Sequence, residues 1–270
     1  MPLPLVVEAD QLARHLDHPD LLILDLSSAE HYRQDHIPGA IHVDSARLLC
    51  GQPPVANKLP SAAQLSTLFS ELGLRADSQV VVYDDQRGPL AGRMIWTLHC
   101  VGHRRCSFLN GQLGAWCNAG LPLEQQPNSA SATPFEARID HDLVADMDYI
   151  LARLGSTDLA IWDARSAEEF RGEKVVNAMK GGHIPGAAHF EWTDTLLSPG
   201  DDRLRPAETL RAELAARGIS ADKEVITHCQ THRRSGLTYL VACHLGFPRL
   251  RCYDGSWFEW GNQPETPVER

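Results

Sequence analysis

Ala160-Ile161-Trp162-Asp163, followed by His183-Ile184-Pro185-Gly186-Ala187, restates an earlier pattern of the same chain: Leu22-Ile23-Leu24-Asp25 followed by His36-Ile37-Pro38-Gly39-Ala40. Two further blocks recur in the same order. Val80-Val81-Val82-Tyr83-Asp84-Asp85 returns as Glu224-Val225-Ile226-Thr227-His228-Cys229, and Asn110-Gly111 with Trp116 returns as Asp254-Gly255 with Trp260. Ordered blocks at a long, nearly constant offset mean that the chain is written twice. The offset grows from 138 at the aspartates to 147 at His-Ile-Pro-Gly-Ala and is 144 in the last two blocks, which puts extra residues into the second copy around Glu173 to Gly181.

Inside each copy, short β-prone apolar runs alternate with segments of helical period. The strand candidates are Leu21–Asp25, Gln79–Asp84, Arg105–Leu109, Leu159–Asp163, Glu224–His228 and Leu250–Tyr253. Ser61 is placed to cap a helix that carries Leu65, Leu68, Phe69 and Leu72 on one face and stops at Gly73. Pro206 suits the first turn of another, with Leu210 and Leu214, stopped by Gly218. Continuous apolar strands are those of a sheet covered on both faces, so the expected fold is α/β, two tandem domains, each a mostly parallel sheet flanked by helices. The Pro-, Ser- and Gln-rich stretch between the copies has no period and reads as a linker. The expected division is 1–124, a linker at 125–136, and 137–270.

Composition narrows the function. The 270 residues carry a formal charge of −10, against non-specific binding to nucleic acid, which needs a basic face. No apolar run approaches a membrane span, and the start lacks the basic and apolar regions of a signal peptide. Seven cysteines with no Cys-x-x-C pair fit neither a disulfide framework nor a zinc site, and point to a reducing cytoplasm. No metal or cofactor is implied.

The chemistry concentrates in Val225-Ile226-Thr227-His228-Cys229-Gln230-Thr231-His232-Arg233-Arg234-Ser235-Gly236. A strand ending near His228 and a helix opening near Ser235 put Cys229 at the carboxyl end of a strand, where open α/β folds bind ligands. It also faces a helix N-terminus, which favours negative charge. His232, Arg233 and Arg234 add positive potential, and each influence lowers a thiol pKa toward the reactive thiolate. The loop Gln230 to Arg234 can curl its amides onto one anion. Against this stands the ordinary reading of a buried cysteine as core packing, which two arginines and a histidine directly after a strand fit badly. Cys100, Cys243 and Cys252 do read as core, and Cys50, Cys106 and Cys117 have no partner at ligand spacing. In the first copy the position facing Cys229 is Asp85, or Asp84 if the alignment slips by one. A carboxylate is no sulfur nucleophile, so catalysis is expected in the second copy alone.

The chain resembles the tandem rhodaneses, the sulfurtransferase family that includes thiosulfate and mercaptopyruvate sulfurtransferases. Tyr32-x-x-x-His36-Ile37-Pro38-Gly39-Ala40 is similar to the family's N-terminal signature, and Tyr253-Asp254-Gly255-Ser256-Trp257-Phe258-Glu259-Trp260 to its C-terminal one. Both motifs read as architecture: a turn into a strand, and tryptophans packing the last helix. The resemblance implies a double displacement, in which the Cys229 thiolate takes a sulfane sulfur from a small anionic donor such as thiosulfate. Cyanide, a thiol or a protein acceptor then removes it. The loop resembles a bacterial thiosulfate-using subgroup with Cys-Gln-Thr-His at this place.

The chain also departs from the family pattern. Animal-type members carry a lysine where Thr231 stands, and an arginine in the segment where Glu168 and Glu169 stand. Arg234, Arg233 or Arg165 is left to supply the missing charge as a substrate-binding group. For Arg165 the competing reading is that Asp-x-Arg ties the strand end to neighbouring backbone. The alternatives are a 3-mercaptopyruvate sulfurtransferase, a phosphatase of the same fold, and a redox or binding module. Phosphatase chemistry needs five residues between cysteine and arginine, whereas four separate Cys229 from Arg234.

Overall fold

The computed structural model describes residues 2–51, 55 and 57–270. The chain divides into two compact units, each with its own five-stranded sheet. The strands in chain order are β1 (Val6–Val7), β2 (Leu21–Asp25), β3 (Ile41–His42), β4 (Gln79–Tyr83), β5 (Cys106–Leu109), β6 (Val144–Ala145), β7 (Leu159–Asp163), β8 (Ala188–His189), β9 (Leu196–Ser198), β10 (Asp201–Leu204), β11 (Glu224–His228) and β12 (Leu250–Tyr253). The first sheet runs β1-β5-β4-β2-β3 and the second β6-β12-β11-β7-β8, with parallel pairing. The same order in both is the structural counterpart of the repeated sequence. All five residues of β4 and of β11 are buried, as expected of central strands covered on both faces, with the polar Gln79, Glu224, Thr227 and His228 among them.

The helices are α1 (Ala9–Ala13), α2 (Ala29–Gln34), α3 (Ala62–Glu71), α4 (Pro89–Cys100), α5 (Gln112–Asn118), α6 (Met147–Arg153), α7 (Ala167–Phe170), α8 (Ala207–Ala216), α9 (Arg234–His244) and α10 (Ser256–Trp260). Ser61 caps α3 as expected, in a reciprocal box with Gln64. Pro206 caps α8 from one residue outside the helix. In both His-Ile-Pro-Gly-Ala segments the glycine takes a left-handed φ, 78° at Gly39 and 75° at Gly186, and the chain turns there into β3 and β8. Trp257 and Trp260 are buried with Ile161, Ile184, Ile226 and Tyr253 in the core of the second unit.

Three features differ from the sequence reading. The two-residue strands β1, β3, β6 and β8 and the β9–β10 pair were not expected, because so short a strand has no period to read. The grouping of residues is not one cut at the linker. Leu197–Leu204 belongs to the first unit and the described residues of Cys50–Leu59 to the second. The third difference is a register correction. Tyr83 ends β4 opposite Asp25, as His228 ends β11 opposite Asp163. The residue matching Cys229 is therefore Asp84, not Asp85, because a one-residue slip would turn every strand side chain to the wrong face.

Candidate active site

β11 stops at His228 and α9 opens at Arg234, so Cys229 to Arg233 form the loop at the carboxyl end of the sheet. His232 adopts a left-handed φ of 51°, the kind of reversal that turns successive amides toward one point. The loop is held from α10. Trp257 and Phe258 N–H groups, which have no partner inside their own short helix, donate to the carbonyls of Cys229 and Gln230 at 3.0 and 2.9 Å. The Cys229 N–H donates to Ser256 Oγ at 3.4 Å, and the Ser256 hydroxyl donates onward to the Tyr253 carbonyl at 2.8 Å.

Cys229 is 0% exposed. Burial by itself would push the thiol pKa up, since the thiolate loses its water. The Arg234 charge, the hydroxyl and amide of Ser235 and the amide of Thr231 all bear on the sulfur and overcome that penalty, so the pKa lies below the ordinary thiol value. The eleven-residue α9 adds its dipole in the same sense. This is a thiol prepared to be an anion, and the same donors can hold the charge of whatever anion forms on it.

Arg234 lies beside that sulfur and forms a bidentate ion pair with Glu169, at 2.6 and 2.9 Å. Glu169 is 4% exposed. It sits in the first turn of α7, in a reciprocal cap with Ser166. Burial would raise its carboxyl, but the Arg234 hydrogen bonds and charge hold it below the usual carboxylate range.

Beneath the loop lies a second charged group. Asp163 accepts from Arg165 Nε at 3.0 Å and from Nη2 at 2.6 Å, and Nη2 also donates to the Gly182 carbonyl at 2.8 Å. Against the penalty of burial, His228 and Arg165 hold the Asp163 carboxyl down at about 2. The Arg165 guanidinium is 4.4 Å from the Trp257 ring centroid. Burial in turn lowers the His228 imidazole.

The expected site residues thus separate. Cys229, Thr231 and Arg234 converge on one sulfur. Gln230 instead donates to the Val176 carbonyl at 2.5 Å, tying the loop to the segment that lengthens the second copy. His232 is buried, with Nδ1 2.7 Å from Ser235 Oγ, and Arg233 is exposed at the helix cap. Arg165 is 1% exposed and bound to Asp163, which is the strand-end tie rather than a group turned toward a ligand. Ser235, Glu169 and Ser256 were not among the expected site residues. Ser235 was legible as a hydroxyl at the helix start. Glu169 and Ser256 come to the site through the fold, and no sequence spacing announces them.

Among the described residues no group of three or more His, Cys, Asp or Glu side chains is placed to hold a metal ion, and no helix is long and apolar enough to cross a membrane. The Rhodanese-like domain family matches residues 8–119 and 146–263. The chain is 50% identical over 267 residues to a thiosulfate sulfurtransferase of Azotobacter vinelandii, covering 99% of this chain and 97% of that one. It is 48% identical to a thiosulfate sulfurtransferase of Pseudomonas aeruginosa, with the same coverage of each. The crystal structure of a 3-mercaptopyruvate sulfotransferase from Escherichia coli superposes with a TM-score of 0.84 at 30% identity, over 94% of this chain and 99% of that one.

Proposed function

The chain belongs to the rhodanese family of sulfurtransferases, and from that membership we propose that it uses thiosulfate as donor and carries the sulfur as a persulfide on Cys229. The observation that carries the proposal is the convergence of Arg234, Ser235 and Thr231 on a buried thiol whose pKa they lower. In the first step the Cys229 thiolate attacks the sulfane sulfur of thiosulfate. A sulfur–sulfur bond forms to Cys229 and the one inside thiosulfate breaks. Sulfite leaves with the bonding pair, and the terminal sulfur of the persulfide keeps the negative charge. In the second step cyanide, or a thiolate on a small molecule or a protein, attacks that terminal sulfur. The persulfide bond breaks and Cys229 returns as thiolate. A covalent carrier splits one transfer into two and requires ping-pong kinetics.

Residues 137–270 are assigned the catalysis and residues 1–124 are read as non-catalytic, since the first copy has Asp84 where the nucleophile would stand. The acidic chain and the free thiols of Cys50, Cys117 and Cys229 suit a reducing cytoplasm. The loop is too short for phosphoryl chemistry, because α9 already begins at Arg234. The test is the intact mass of reduced protein after thiosulfate and desalting, beside Cys229→Ser. Gain of one sulfur atom by the wild type alone, released by cyanide as thiocyanate, is expected. Labelling by mercaptopyruvate and not by thiosulfate would move the donor assignment, and labelling of Cys229→Ser would overturn the site.

A further inference from the structure

We propose that Glu169 is a positioning and specificity-determining residue of this site: its bidentate pair with Arg234 aims the guanidinium at Cys229 and offsets its charge, limiting how tightly an anionic donor is held. The inference rests on the reading of Cys229 as the sulfur carrier. Arg234 is the cation that bears on the Cys229 sulfur, and two of its nitrogens are already committed to the Glu169 carboxylate at 2.6 and 2.9 Å. A fork-to-fork pair fixes orientation as well as distance. The side chains are 24% and 5% exposed, so water screens them only in part.

Glu169 does not depend on Arg234 for its place. Its amide and carboxylate close the cap with Ser166 at 3.4 and 3.2 Å, and the Arg165 charge acts on it from the end of β7. Glu191, after β8, is the other acid that feels Arg234; its own carboxyl is raised by burial and by Asp194. The guanidinium is therefore anchored from a rigid neighbour while its charge is locally balanced. A dianionic donor meets oriented N–H groups and a cation that is largely neutralised. Such a site favours turnover, because sulfite must also leave it.

The two functions of Glu169 separate in two variants. Glu169→Gln keeps an acceptor of the same reach and removes the charge. Glu169→Ala removes the anchor, and the guanidinium is then free to turn to water. Two readouts are taken: KM against kcat for thiosulfate, and the pH midpoint of iodoacetamide alkylation at the Cys229 peptide. For Glu169→Gln the KM is expected to fall about threefold, the scale of one partly screened charge interaction, with no gain in kcat and a midpoint shifted to lower pH. For Glu169→Ala the KM and the midpoint both rise. Wild-type values in both variants, or shifts of the same sign in both, would overturn the proposal, the second leaving Glu169 a helix cap only. Should Glu169→Gln fail to fold, Glu169→Asp carries the test. Its shorter side chain cannot reach Arg234 as a bidentate partner, so the anchor is lost as in Glu169→Ala; KM and midpoint are expected to rise, and wild-type values would overturn the idea. Alkylation needs no sulfur transfer, so a wild type that gains no sulfur from thiosulfate would defeat the reading of Cys229 without touching this result.

Discussion

Asp84 occupies in the first unit the place that Cys229 occupies in the second. Both follow the last residue of the central strand, at Tyr83 and His228, and both precede a helix that opens five positions later, at Pro89 and Arg234. The Asp84 carboxylate accepts four backbone N–H groups, from Gln86 and Gly88 on one oxygen and Leu90 and Ala91 on the other, at 2.8 to 2.9 Å. The chain has filled the anion cradle of its first unit with its own carboxylate.

Replacing that carboxylate by a thiol does not restore a second sulfur carrier. Where Arg234 and Ser235 begin α9, Pro89 and Leu90 begin α4, so the matching positions offer neither guanidinium nor hydroxyl. A Cys229→Ser, Asp84→Cys double variant is expected to form no thiocyanate from thiosulfate and cyanide above the Cys229→Ser background. Turnover approaching wild type would show that loop shape alone suffices.

The Cys229 thiol is expected to react with neutral alkylating agents at lower pH than a free cysteine. Its pKa is lowered, so the rate should rise to a plateau with a midpoint below 9.0, the reference value for a thiol. A midpoint at or above that value would mean that burial outweighs the donors around the sulfur.

How much of this was open to sequence follows from where the information lies. The strands were legible because apolar runs such as Val80–Tyr83 are confined by turn residues, and Cys229 because its cations are next to it in the chain. The pairing register was not, since blocks that differ by one residue fit the repeat almost equally well, and only the Asp25–Tyr83 and Asp163–His228 pairs decide between them. The side chains of Arg165 and Glu169 carry opposite lessons. Both are charged and close in sequence, yet one is spent on the strand end and the other reaches across to Arg234. Such choices are made by tertiary placement.

Removing Arg234 should weaken both catalysis and folding. Arg234→Ala leaves the buried Glu169 without its paired guanidinium, with only the Arg165 charge still acting on it, which costs about 3 kcal/mol of stability. A Glu169→Ala, Arg234→Ala double variant should recover much of that loss in urea unfolding without recovering activity. Anionic thiosulfate should suffer more than a neutral persulfide donor, since the lost group is a charge. Equal losses with both donors would deny Arg234 its electrostatic role.

Ser235→Ala tests a single donor. The variant keeps its amide on the sulfur and loses the hydroxyl, which also contacts His232 Nδ1 at 2.7 Å. One hydrogen bond to a charged acceptor is worth about 1.5–3 kcal/mol, so kcat/KM should fall by about tenfold or more, and the melting temperature should fall too because the buried His232 imidazole loses its hydroxyl partner. A wild-type rate would assign the stabilisation of the sulfur anion to the backbone and Arg234 alone.

Acid should undo the support beneath the loop through Asp163. Its carboxyl is held at about 2, below the ordinary 3.8, by His228 and Arg165 against the cost of burial. A group whose pKa is depressed by folding stabilises the fold above its unfolded pKa and loses that contribution as pH falls through the folded one. The window is therefore pH 3.8 down to about 2, and the depression corresponds to about 2 kcal/mol. Asp163→Asn mimics the protonated form at every pH and leaves Arg165 without its counter-charge. Other carboxylates also titrate in this range, so the informative quantity is the difference in unfolding free energy between wild type and Asp163→Asn. That difference should be larger near pH 5, where the wild-type carboxyl is ionised in both states, and should shrink steadily toward pH 2. A gap that stayed constant across the window would mean that the Asp163–Arg165 pair contributes packing and hydrogen bonds, but not the charge interaction assigned to it.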